Sequence, residues 1–168
     1  MRFSMEAEGQ SGPDAVFDCN TFLRATINGR GPASECVIML GSGRYTLFYC
    51  RDVLAEINDV LRRPGLRQQF PRLTDENVGR LLRDIERYAI LIHNVPETFR
   101  YPRDPDDEVY INLALVTNAQ YLVTYDNDLL DLMTRDDEEA RTFRHRFPGL
   151  KIVDPQTFLE ALDQSVSV

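Results

Sequence analysis

Short apolar runs separated by amphipathic stretches give this chain its pattern. Five runs, at roughly 14–19, 45–50, 89–93, 121–125 and 151–153, have the length and the β-branched and aromatic content of strands. The segments between them carry helical spacing. Asn20 to Asn28 forms one short helix and Pro32 to Leu40 a second, halted by Gly41-Ser42-Gly43. Asp52 to Arg62 runs until Pro64-Gly65 interrupts it. Thr74-Asp75-Glu76-Asn77 is a capping pattern, and Val78, Leu81, Leu82, Ile85 and Tyr88 then mark an apolar stripe. A buried helix is predicted from Pro105 to Thr117, a short one after Asn127 and a last one from Gln156 to Leu162. Strands alternating with helices predict an α/β three-layer sandwich around a mostly parallel sheet of about five strands.

The 168 residues suffice for one domain, burying roughly 70% of its unfolded surface. The expected organisation is a flexible N-terminal tail (1–13), one domain (14–163) and a short C-terminal tail (164–168). The first stretch mixes Arg2, Glu6 and Glu8 with Gly and Ser, which does not make a signal peptide. No run approaches the roughly 18 apolar residues of a membrane span. Cys19, Cys36 and Cys50 are an odd set, two of them in or beside predicted strands. Buried free thiols in a reducing compartment fit them better than disulfides, so the expected location is cytoplasmic, with no membrane partner.

Charge changes the picture less than it first suggests. The formal net charge is −8, which does not favour nucleic-acid binding through the overall field. One or two divalent cations held by acids would reduce it to roughly −6 or −4. Lys151 is the single lysine, and arginine binds phosphate through a bidentate fork. Arginine richness also follows from genome composition, so charge leaves the partner open.

Four acids carry the candidate chemistry. Asp18 ends the run Ala15-Val16-Phe17, and Asp126 closes Tyr121-Leu122-Val123-Thr124-Tyr125. Asp107 lies at the start of the helix opened by Asp104-Pro105, and Glu56 lies on Asp52-Val53-Leu54-Ala55-Glu56-Ile57. In a parallel α/β sheet, acids at strand ends and helix starts converge on one edge, where ligands bind. Carboxylates sharing a cleft attract divalent cations or raise one another's pKa, and the metal alternative points toward phosphodiester hydrolysis. Each acid also has a plainer reading. Asp18 or Asn20 suits an N-cap, Asp104-Pro105 suits a cap and first-turn pair, Glu56 borders solvent, and either Asp126 or Asp128 caps the next helix. Asp107 is the least easily explained this way, because it shares an apolar face with Ile111 and Ala114.

Taken together, these segments resemble a PIN-domain nuclease, in the branch grouped with toxin components of bacterial toxin–antitoxin systems. Val16-Phe17-Asp18-Cys19-Asn20 resembles the opening strand of that family and its acid. Leu54-Ala55-Glu56-Ile57 resembles the helix of the second acid, followed by Leu61-Arg62-Arg63-Pro64. Arg103-Asp104-Pro105-Asp106-Asp107 resembles the third motif, and Leu122 to Leu130 the fourth. Pro148 to Pro155 with Phe158-Leu159 resembles the closing strand and helix, so the likeness spans about 14–162. Cys19 departs from it, standing where the family usually has a small hydroxyl residue.

The resemblance implies a metal-dependent endoribonuclease with Asp18, Glu56, Asp107 and Asp126 as catalytic and metal-binding acids. Oxygen-only donors imply Mg²⁺ or Mn²⁺ rather than zinc. Asn20, Thr124 and Asp128 are expected supports, and Arg24 and Arg103 are candidate phosphate contacts. Implied partners are an RNA substrate, a cognate antitoxin protein and a second copy in a homodimer. The competing reading is a catalytically silent module of the same fold that binds RNA or protein. Two other classes fit poorly. A haloacid-dehalogenase-type phosphatase needs its aspartate pair early in the chain, and a receiver domain needs an acid pair next to its phosphoacceptor. His93 and His145 lack partners at metal or triad spacing.

Overall fold

The computed structural model describes residues 12–165. Most of the expected N-terminal tail, 1–11, and residues 166–168 lie outside the described residues. Five strands, β1 (Asp14–Phe17), β2 (Thr46–Tyr49), β3 (Ile90–Leu91), β4 (Tyr121–Val123) and β5 (Lys151–Val153), form one sheet in the order β3-β2-β1-β4-β5. Every pairing is parallel, as the alternation of strands and helices predicts. Strand order reverses at β1, which pairs with β2 on one side and β4 on the other. The crevice between the carboxyl ends of β1 and β4 is therefore the switch point where ligands of such sheets bind.

The helices among the described residues are α1 (Cys19–Asn28), α2 (Pro32–Ile38), α3 (Arg51–Leu61), α4 (Pro64–Gln69), α5 (Asp75–Tyr88), α6 (Glu108–Val116), α7 (Asn127–Thr134), α8 (Glu138–Arg146) and α9 (Pro155–Ser165). Two of them were not expected. Pro64-Gly65 ends α3 as anticipated, but Pro64 then occupies the first position of α4, where its fixed φ and missing N–H cost nothing. The eighth helix is polar almost throughout and buries only Ala140 and Phe143, so it has no readable stripe. Asp137 caps it, accepting from Ala140 N at 2.9 Å. The helix predicted from Pro105 instead begins as a 3₁₀ turn, Pro105–Asp107, before α6 proper. The last helix extends past Leu162 to Ser165.

Aromatic packing fixes the layers. Phe17 of β1 meets Phe22 of α1 and Phe158 of α9 at ring-centroid distances of 5.7 Å, and Phe158 meets Tyr121 of β4 at 5.4 Å. Each buried phenylalanine contributes on the order of 2–3 kcal/mol of apolar burial. On α6, Tyr110, Ile111, Leu113 and Ala114 are all buried, and the helix packs against β1, β2 and β4. Cys19, Cys36 and Cys50 are buried free thiols. No helix among the described residues is long and apolar enough to cross a membrane.

Candidate functional site

Backbone pairing runs one residue past the strand ends and places the first acid. Asp18 N donates to Val123 O at 3.1 Å, and Thr124 N donates to Val153 O at 2.9 Å. Asp18 is then the N-cap of α1 and is only 3% exposed. Its Oδ1 accepts from Thr21 N at 2.9 Å and Thr21 Oγ1 at 2.8 Å, and its Oδ2 accepts from Thr124 Oγ1 at 2.5 Å. Thr124 Oγ1 also accepts from Asp126 N at 2.9 Å. One buried hydroxyl thus locks the ends of β1 and β4 together. Asp126 caps α7 through Oδ1, which accepts from Asp128 N at 2.8 Å. The capping and edge readings of these residues are not exclusive, because a carboxylate has two oxygens.

Across the crevice, the chain entering α6 is tied down on both sides. Buried Asn112 accepts from Thr98 N and Phe99 N, at 3.1 and 2.8 Å, and donates to Phe99 O at 3.0 Å. Glu108 accepts from Tyr101 N at 2.7 Å, and Tyr101 OH donates to Asp128 O at 2.6 Å. This anchoring brings Asp104, Asp107 and Asp126 together, each offering a carboxylate oxygen within 4.8 Å of the others. Asp104 was expected only as a helix cap. Its side chain makes no capping bond and turns toward the other two acids instead. The Asp-Pro-Asp-Asp run was the available signal, but a cap explained its first acid completely.

Glu56 lies outside that trio. It comes from α3 and accepts a short hydrogen bond from the buried Tyr110 hydroxyl, one helical turn beyond Asp107. Asp18 is likewise outside the trio but close enough for Asp126 to disfavour its charge. Burial pushes the Asp18 carboxyl up to about 6, against the hydrogen bonds from Thr124 and Thr21 that favour its ionised form.

Asp107 is more perturbed. It is 8% exposed, and its Oδ2 is buried with no donor facing it. What it faces are the carboxylates of Asp126 and Asp104. Burial first, then these neighbours, raise its pKa to about 9. An oxygen in that position is satisfied by a proton or by a cation. The donors are all carboxylate oxygens, a set for a hard divalent ion. The residues present therefore fit a metal ion.

The remaining expected residues divide. Arg103 is held between Asp128 at 2.9 Å and Asp131 at 3.1 Å. Arg24 is exposed, with its guanidinium 4.3 Å from the ring centre of Tyr125. Asn20 is exposed on the first turn of α1. The Cys19 thiol is buried and pushed up to about 12, chiefly by burial, so it stays protonated.

A parallel sheet whose switch point gathers buried and half-buried aspartates defines an α/β protein with a candidate divalent-cation centre. The PIN domain family model matches residues 14–128, from β1 to the start of α7 and across Asp18, Glu56, Asp107 and Asp126. The chain belongs to the PIN domain family, whose members are generally metal-dependent nucleases. No curated protein matches it.

Proposed function

We propose that this protein is a metal-dependent endoribonuclease that hydrolyses RNA phosphodiester bonds with Mg²⁺ or Mn²⁺. In this reading it is the toxin of a type II toxin–antitoxin pair, acts in the cytoplasm as a homodimer and is restrained by a cognate antitoxin. Family membership supports nuclease chemistry, and the motif resemblance supports RNA and the toxin role. The observation that carries the metal is the buried, donorless Oδ2 of Asp107 beside Asp126 and Asp104.

Asp107, Asp126 and Asp104 supply the oxygen donors, and Asp18 and Glu56 complete the acidic set. Bound there, a divalent ion supplies Lewis-acid polarisation of the phosphodiester and a reactive water near neutral pH. Thr124 holds Asp18 and the Asp126 backbone in fixed relation, and Asp128 steadies Asp126 through its N–H. Tyr110 holds one Glu56 oxygen, which leaves the other to take the proton of the attacking water.

The test is cleavage of a mixed RNA pool by wild type and Asp107→Asn, each with Mg²⁺, Mn²⁺ or EDTA. Metal-dependent cutting lost in the variant is the expected result. Full-rate cutting by Asp107→Asn overturns the site. Absence of both cutting and metal binding in wild type favours the silent binding module.

A further inference from the structure

The chain segments that carry two of the acids also line a second hollow. Tyr125 immediately precedes Asp126, and Asn20 stands two residues beyond Asp18. With Leu23, Arg24, Ile27 and Phe70 they border a depression of about 420 Å³. Arg24 lies over the Tyr125 ring at 4.3 Å, a cation–π contact. Among the described residues Arg24 forms no salt bridge, whereas Arg103, on the same edge, is neutralised by two aspartates. The acidic crevice repels a polyanion, and this hollow sets a cation, two aromatic rings and a side-chain amide directly beside it.

Resting on the nuclease reading above, we propose that this hollow is a base-stacking subsite for the nucleotide next to the bond that is cut. An unpaired base lies on the Arg24 guanidinium, which Tyr125 backs. Phe70 and Leu23 form the apolar wall, and the Asn20 amide meets the hydrogen-bonding edge of the base. Bases in a helix are stacked and cannot enter such a site, so the subsite takes a nucleotide that is unpaired next to the cut bond.

The test starts by mapping the bond most often cut in a mixed RNA pool. Oligoribonucleotides around that bond are then made abasic at each flanking position in turn. At one position, loss of the base lowers kcat/KM of wild type about tenfold or more. Tyr125→Leu and Arg24→Lys lower it comparably on the intact oligonucleotide, and the abasic change adds nothing further in either variant. Arg24→Lys keeps the charge but not the plane, and at an exposed position it leaves the fold intact, which thermal melting verifies. Retention of full rate and of the same abasic profile by Arg24→Lys overturns the subsite and leaves the nuclease standing. If wild type cuts no RNA in the pool, the nuclease reading fails and takes the subsite with it.

Discussion

Two aspartates on the same sheet edge are buried to a similar degree and treated in opposite ways. At the end of β1, Asp18 accepts from one backbone N–H and two hydroxyls, so both its oxygens are satisfied by the protein. At the start of α6, Asp107 has a buried oxygen that meets only other carboxylates. The first arrangement ties an acid of the site into the scaffold. The second is costly for the isolated chain and pays off only when something positive arrives. Burial alone therefore does not mark where a cation is needed; burial without donors does.

Substitutions should separate the two. The largest effect is expected from Asp107→Asn, which should lower cleavage by about 10³-fold or more by removing a charged donor. The same change should leave the metal-free protein at least as stable as wild type, since an amide is neutral without taking up the proton that the buried carboxyl holds; thermal melting in EDTA checks this. Asp18→Ala should differ in its effect on stability. It leaves Thr21 and Thr124 donors without their acceptor and removes a helix cap, for a loss of about 2–4 kcal/mol in urea unfolding.

Acid–base behaviour sharpens the contrast. The folded-state pKa of Asp107 is raised above the ordinary value of 3.8 to about 9. Its contribution to stability is therefore complete below about pH 4 and is lost as pH rises through about 9. Asp18, raised to about 6, adds the same sign over the lower part of that window. Metal-free wild type should lose stability from pH 5 to pH 9 more steeply than Asp107→Asn, as followed by denaturant midpoints at each pH (about one midpoint per pH unit suffices). The smallest expected effect is that of Tyr110→Phe. Removing the hydroxyl that holds Glu56 should lower kcat about tenfold with little change in KM, separable by steady-state kinetics.

How far these features could be read in sequence follows from how local they are. The strands were legible because each is a short apolar run between turn residues, and their alternation with helices gave the parallel sheet. The helix α8 was not, because only Ala140 and Phe143 face the core and its stability comes from the Asp137 cap and from packing against α7. Asp107 stood out because Ile111 and Ala114 share its face, and both are buried. Asp104 did not, since a cap next to proline accounted for it until the three-dimensional turn brought it to Asp126. The role of Asn112 in anchoring the approach to α6 depends on contacts with Thr98 and Phe99 that no periodicity encodes. The clamp of Asp128 and Asp131 on Arg103 likewise depends on how α7 is set against that approach.

Titration with Mn²⁺ by calorimetry, in two buffers of different ionisation enthalpy at neutral pH, tests the central claim most directly. Wild type should bind the ion and release a proton as it does so, and Asp107→Asn should lose both the binding and the release. Equal Mn²⁺ affinity in the two proteins would contradict the assignment of the donorless aspartate as the heart of a metal centre.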